Sequence, residues 1–355
     1  MRNIFLVPIE PLDNRYTKQW YEYIPNLLKH NFKNDQILVI DGNNQYYSST
    51  IEGAFFDFAA TCKYKASQAQ LISEYFMNGQ VNENDIFFFT DAWNPTVHTI
   101  RYISELCKIP VKCAGIWHAG YYDPTDILGF TIKNHDWISH LEKSMYYAYD
   151  MNFFGTEQHK DKFYTVSDVH SKSYVCGYPL EYLKGIQSIK SFDKKKKQVV
   201  FPHRLNSDKA PEIFDFIKNY VTNNLNRSDI SFVKTQELNL DKDSYYNVLA
   251  ESMVVFSANK HENLGIGTFE AMMLGAYPIV PNKLSYKEMY QEQYKYQCER
   301  DFYSNEQTWK ELAEKIIKVI DTYNETIYNS IIINADEIYR KFFTSTKMIE
   351  HLKTL

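Results

Sequence analysis

Short apolar runs that end in turn residues, with stretches of helical periodicity between them, recur along most of this chain. In the first half the runs are 4–9 (IFLVPI), 36–41 (QILVID), 85–90 (DIFFFT), 111–116 (VKCAGI) and 150–154 (DMNFF), closed by Pro11, Gly42 or Gly155 where a turn residue follows. Helical patterns lie between them, at 17–29 and 66–76. Strand, helix, strand at this rhythm predicts βαβ units around a parallel sheet. The rhythm is interrupted at 184–198 (KGIQSIKSFDKKKKQ), a polar, lysine-rich segment that reads as a linker. It then resumes. Strands are expected at 199–202, 231–234, 253–257 and 277–281, and helices at 211–221, 244–251, 267–274, 308–323 and 334–352.

The expected fold is therefore α/β, with two Rossmann-like domains facing across a cleft. The first spans 1–183 and the second 199–330. The last helix, in 331–355, is expected to pack back toward the first domain. A length of 355 residues fits about two domains, and the cleft is the natural place for a site. The charge sum of 39 basic against 44 acidic residues gives −5, which excludes a polycation but not a local basic groove. An apolar fraction of 44% excludes a mainly disordered chain. The five cysteines (62, 107, 113, 176, 298) show no metal-ligand spacing and fit a reducing compartment. The N-terminus, MRNIFLVPIEP, reads as a first strand rather than a signal peptide. No run approaches the ~18 apolar residues of a membrane span. A cytoplasmic protein is expected.

Only 12 residues are glycine, so a local cluster of them is informative. Gly265, Gly267 and Gly275 fall in 257–280 (SANKHENLGIGTFEAMMLGAYPIV), just after the apolar run MVVF. Glu262 and Glu270 stand in the same stretch, seven residues between them. A strand that delivers a glycine turn to a helix N-terminus presents free N–H groups and the positive end of the helix dipole, which favour a diphosphate. A carboxylate accepts hydrogen bonds from vicinal hydroxyls, so Glu262 suits a sugar and Glu270 a ribose.

This stretch resembles the E-x7-E signature of retaining GT-B glycosyltransferases of the family 4 kind. Here Glu262-Asn263-Leu264-Gly265-Ile266 stands for E-G-F-G-L, followed by Glu270-Ala271-Met272-Met273-Leu274-Gly275. The resemblance implies Glu262 on the donor sugar, Glu270 on the nucleotide ribose, and Gly265, Ile266 and Gly267 along the donor. A second element, 199–209 (VVFPHRLNSDK), is similar to the family's strand, G-R-L and Lys; it implies Arg204 and Lys209 as the cations on the donor diphosphate. His203 departs from the family's glycine. By the same resemblance, 233–238 falls where the family has its base-contacting loop.

In the first half, 116–126 (IWHAGYYDPTD) supplies His118, matching a histidine that many retaining GT-B enzymes turn to the donor sugar, with Asp123 and Asp126 in the acceptor wall. Asp91 and Trp93 end another strand. Asp91 reads equally as an acceptor contact, a general base, or an Asx-turn before Pro95. The first loop, 10–20, offers Arg15, Tyr16 and Trp20 to an acceptor with phosphate and flat rings, and looks similar to the start of phage-encoded glycosyltransferases.

The resemblance implies a retaining transfer from a nucleoside-diphosphate sugar, a UDP-sugar above others, with no metal required. Asp241-Lys-Asp243 spells D-x-D but lies in a charged loop and is discounted. The expected acceptor is 5-hydroxymethylpyrimidine, such as hydroxymethylcytosine, in double-stranded bacteriophage DNA, on the strength of the N-terminal aromatics and bases and the Lys194–Lys197 run. The alternatives are surface-polysaccharide or lipid-linked glycan synthesis and, in another class, a non-catalytic nucleotide-sugar binder. A sugar-nucleotide epimerase on the same fold is a minor one.

Overall fold

The computed structural model describes residues 1–12, 15–43, 57–118, 120–166 and 172–355, without the side chains of 165 and 166. Contacts divide the chain into two compact units, Met1–Leu180 with Thr344–Leu355, and Glu181–Phe343.

The first unit alternates β1 (Asn3–Val7), α1 (Tyr16–Asn31), β2 (Gln36–Val39), α2 (Phe58–Met77), β3 (Ile86–Phe89), α3 (Thr96–Cys107), β4 (Lys112–Ile116), α4 (Ile127–Thr131), α5 (His135–Ala148), β5 (Met151–Phe154), α6 (Glu157–Val166) and β6 (Ser173–Val175). The described strands form one six-stranded parallel sheet in the order β2-β1-β3-β4-β5-β6. β3 is apolar throughout and β1 from Ile4 onward, and both are buried at every residue, as a sheet covered by helices on both faces requires. Phe5 stacks on Phe87 across the β1–β3 pair, with ring centroids 4.6 Å apart.

The second unit runs β7 (Lys196–Phe201), α7 (Pro211–Asn219), β8 (Ser231–Lys234), α8 (Lys242–Glu251), β9 (Ser252–Phe256), α9 (Ile266–Met273), β10 (Tyr277–Pro281), α10 (Tyr286–Met289), β11 (Lys295–Tyr296), α11 (Glu306–Thr322) and α12 (Glu325–Phe342). Its sheet is also parallel, in the order β11-β10-β9-β7-β8. The last helix, α13 (Thr346–Leu352), groups with the first unit.

Periodicity located β1–β5 and β7–β10 but missed β6 and β11 and the helices α3, α4, α5, α6 and α10. The segment expected to be a linker is structured. Glu181–Ile189 is 3-10 helical, and β7 begins at Lys196, three residues before the apolar run. Its first lysines are exposed strand residues paired to neighbours, Lys196 with Glu251 at 2.8 Å and Lys197 with Asp229 at 2.8 Å. The single helix expected over 334–352 is two, because the chain leaves helical geometry at Phe343, whose ring stacks 3.9 Å from Phe269.

Candidate functional site

The glycine turn is built as its residue types suggest. Gly265 sits in the left-handed region at φ 67°, where a side chain is strained. A Cβ there would also meet Tyr286 at 2.5 Å. α9 starts at Ile266. Gly267 lies so close to the loop after β7 that a Cβ would stand 2.9 Å from the Pro202 carbonyl oxygen.

That same loop brings in the basic residues. The Lys260 amide donates to the Asp208 carbonyl (2.8 Å) and ties the loop after β7 to the loop after β9. Lys209 is thereby held beside Glu262. Its Nζ donates to the His261 carbonyl (2.5 Å) and lies 3.3 Å from both Glu262 Oε2 and Asp208 Oδ2. Glu262 Oε2 also accepts from Asn259 Nδ2 (2.9 Å). Burial works against the Glu262 charge, yet Lys209 first, then His203 and His261, and last the Gly265 amide hold the carboxyl down to about 2. His203 is pushed down to about 3 by its own burial. It is neutral near pH 7, which leaves Lys209 as the effective counter-charge. Arg204 stands at the exposed side of the cluster, 4.0 Å from Asp208.

Glu270 lies one face along α9, buried. Its Oε2 accepts from Tyr245 (2.9 Å), and its Oε1 from Tyr246 (3.1 Å) and Lys242 (3.3 Å). Sequence reasoning missed these three residues of α8. It also missed Tyr286, whose hydroxyl joins Ser257 (3.1 Å), Asn259 (3.1 Å) and Thr268 (3.3 Å) under the turn. No local pattern marks a tyrosine that acts by packing; only the glycine at 265 hinted that something approaches closely. Asp241, the first residue of D-x-D, caps α8 by accepting from the Ser244 amide (2.8 Å).

In the first unit, the residues expected to meet substrate lie at or after the carboxyl ends of β3 and β4 or on α1. His118 is buried between two partners. Its Nε2 faces the Thr90 carbonyl (2.6 Å), which can only accept, so Nε2 carries the proton and Nδ1 accepts from the Tyr16 hydroxyl (2.9 Å). Burial lowers its pKa and keeps the ring neutral. Trp20 packs 5.2 Å from that ring and is only 1% exposed, so it is a wall of the His118 pocket rather than an open stacking platform. Arg15 precedes α1, half-buried.

Asp91 forms the Asx-turn, accepting from the Trp93 amide (3.1 Å), and a buried ion pair with Lys65 (2.8 Å). Both of its oxygens are thereby engaged within the fold. Asp123 is likewise occupied, by Lys162 (2.5 Å) and by the amide and hydroxyl of Thr125. The Trp93 indole donates to Glu142 (2.8 Å). Glu142, which no sequence pattern marked, also accepts from the Tyr121 and Tyr122 amides, and burial pushes it up to about 7. Of the expected residues, Arg204, Lys209, Glu262, Gly265, Ile266, Gly267 and Glu270 gather in one unit, and Tyr16, Trp20 and His118 in the other.

No family model matches the chain. A stretch of 131 residues is 28% identical to a tRNA-queuosine alpha-mannosyltransferase of Drosophila melanogaster, covering 31% of this chain and about a third (34%) of that relative's length. Among solved structures, a trehalose-6-phosphate synthase superposes with a TM-score of 0.67 at 12% identity over 99% of each chain. A sucrose-phosphate synthase of Thermosynechococcus elongatus gives 0.64 at 10% identity, over 100% of this chain and 98% of that one. Anabaena HepE in complex with UDP-glucose gives 0.62 at 13% identity over 100% of both. With its two parallel sheets, the chain has the α/β fold of the GT-B glycosyltransferases.

Proposed function

We propose that the chain is a retaining glycosyltransferase that moves a sugar from a nucleoside-diphosphate sugar, a UDP-sugar, to a hydroxyl on a modified base of a nucleic acid, with 5-hydroxymethylpyrimidine of DNA as the substrate. One observation carries the reading: Glu262, Asn259 and Lys209 form a single hydrogen-bonded cluster at the glycine turn that opens α9, with Glu270 further along that helix.

In this reading the diphosphate lies against the first amides of α9, where the helix dipole favours negative charge. Arg204 reaches it from the exposed side, and Lys209 adds positive charge from below. Glu262 accepts from hydroxyls of the donor sugar. Tyr245 and Tyr246 hold Glu270, and the ribose replaces Lys242, the exposed member of that trio. As the bond from the anomeric carbon to the diphosphate oxygen breaks, the acceptor oxygen adds on the same face and its proton passes to the departing phosphate oxygen. Fixed positive groups stabilise the charge that develops there. This route asks no carboxylate to serve as base, which agrees with Asp91 being committed to Lys65. The trehalose-6-phosphate synthase has been studied for glycosyl transfer with retention, and HepE has been crystallised with UDP-glucose; both support the donor half of the reading.

The acceptor half rests on less than the sequence offered, since Trp20 is buried and the Lys196 and Lys197 charges are paired. The Drosophila relative supports a nucleic-acid acceptor and favours a second reading, a hydroxyl on a tRNA base. The protein should be incubated with radiolabelled UDP-glucose and other labelled nucleotide sugars, together with hydroxymethylcytosine DNA, unmodified DNA or queuosine-containing tRNA. Label in hydroxymethylcytosine DNA is the expected result. Label in tRNA alone moves the acceptor to the second reading, and transfer only to a lipid or glycan overturns both. For the donor, Arg204→Ala should weaken UDP binding by about tenfold, the scale of one charge-assisted hydrogen bond. Calorimetry checks it, and an unchanged affinity removes Arg204 from the diphosphate site.

A further inference from the structure

The strand order of the first unit reverses at β1, which lies between β2 and β3. Open α/β sheets bind ligands at the carboxyl edge of such a reversal. The chain leaves β1 through Pro8 and Ile9 to Glu10, and leaves β3 through Thr90 to Asp91. The two exits are tied together, since the Ile9 amide donates to Thr90 Oγ1 (2.8 Å). Gln68 of α2 donates to the carbonyls of Pro8 (2.8 Å) and Ile40 (3.1 Å), and its own amide oxygen accepts from Asn94 (3.0 Å). Lys65 satisfies Asp91 (2.8 Å) and the Trp93 carbonyl (2.6 Å). This edge is a rigid polar network with its members paired.

Glu10 breaks the pattern. It is 3% exposed, and neither carboxyl oxygen has a hydrogen bond among the described residues. Its polar neighbours are Lys65, Thr61 and Asp91. Lys65 brings one positive charge, already hydrogen-bonded to Asp91, so Glu10 is the carboxyl left over. Burial raises its pKa, and Lys65 and Thr61 offset only part of that rise. Ionised, it is a buried charge that only the Thr61 hydroxyl and its own amide approach, neither in good hydrogen-bond geometry; protonated, it is a buried hydroxyl without an acceptor among the described residues. Either form costs free energy that an apolar residue of the same shape avoids, and nearly all buried polar atoms in folded proteins have a partner. A second orphan lies on α1, where the buried Trp20 indole N–H also has no acceptor.

We infer that Glu10 is a binding residue whose missing partner is the acceptor substrate, through a hydroxyl or amine that donates a hydrogen bond at the β1–β3 edge. The inference deepens the glycosyltransferase reading and rests on it for the identity of the ligand. It predicts a trade of stability for binding. Glu10→Met should melt no lower than the wild-type chain and up to about 2 °C higher, a small shift for a chain of this size. In steady-state transfer from UDP-glucose to whichever nucleic acid the wild type labels, Glu10→Met should raise the acceptor KM by about tenfold. Glu10→Gln, which keeps an acceptor oxygen, should raise it less, and the KM for UDP-glucose should stay unchanged in both. An unchanged acceptor KM overturns the proposal. So does a Glu10→Met melting point several degrees below wild type, because Glu10 would then be part of the core's support. If the wild type labels neither nucleic acid, the acceptor reading fails separately. The melting comparison then decides Glu10: a higher value keeps it as a ligand carboxylate, and a lower one removes it.

Discussion

Glu262→Gln is expected to lower sugar transfer by about 10²–10³-fold, the range seen when one preorganised polar contact to a reacting centre is removed, while the chain still folds. Gln preserves the shape and one acceptor oxygen but removes the charge that Lys209 and Asn259 face. It also offers the donor hydroxyls a weaker acceptor. UDP affinity should change less than transfer, because the lost contact is to the sugar and not to the diphosphate. Transfer at the wild-type rate would take Glu262 out of the site. The same substitution has a pH signature. The carboxyl is held at about 2, below its ordinary value of 4.5. A depressed folded-state pKa contributes stability above the unfolded value and loses it as pH falls through the folded one. Wild-type stability should therefore drop more steeply than that of Glu262→Gln between about pH 4.5 and about pH 2. Urea titrations at stepped pH check this, and parallel curves would mean that Lys209 does not hold the carboxylate.

How much of this could be read from the residues depended on how local the physics is. Strands such as 85–90 were legible because a strand covered on both faces must be apolar along its length, and β3 is buried at all four residues. The glycine turn was legible for a similar reason: few residue types tolerate φ 67°, and Gly265 is one of the chain's 12 glycines. α5 escaped notice because its face toward the unit is built from Ile138, Glu142, Met145 and Tyr146, an apolar stripe interrupted by a carboxylate. Glu142 belongs there because it accepts from a tryptophan 49 positions earlier and from backbone amides about 20 earlier, which spacing along the helix does not record. Asp91, Asp123 and Trp20 show the same limit. Each has a residue type suited to a substrate, and each is spent on a partner in the fold. The lysine run at 194–197 misled for the opposite reason. Charged residues at the solvent end of a strand resemble a linker when the strand's buried part starts only at Gln198 and its apolar part at Val199.

The largest loss of stability is expected from Lys209→Met. Lys209 is 6% exposed and lies 3.3 Å from two carboxylates, those of Glu262 and Asp208. Removing it leaves both without their closest cation. His203 cannot substitute, being held neutral by burial, and Arg204 stands 4.0 Å from Asp208 on the exposed side. Lys209 is buried but the two carboxylates are only partly so (18% and 21% exposed), and leaving such a charge without its partner costs about 1–3 kcal/mol. Donor affinity should fall at least tenfold as well. The double variant Lys209→Met, Glu262→Gln separates the two effects. If the stability cost comes from the stranded Glu262 charge, the double variant recovers part of it and its loss is smaller than the sum of the two single losses. Transfer does not recover, since both donor contacts are gone. Denaturant unfolding of the three variants, with transfer measured beside it, distinguishes this from simple packing. Strictly additive losses would mean that Lys209 and Glu262 are not coupled, and the view of the glycine turn as one electrostatic unit would fail with that result.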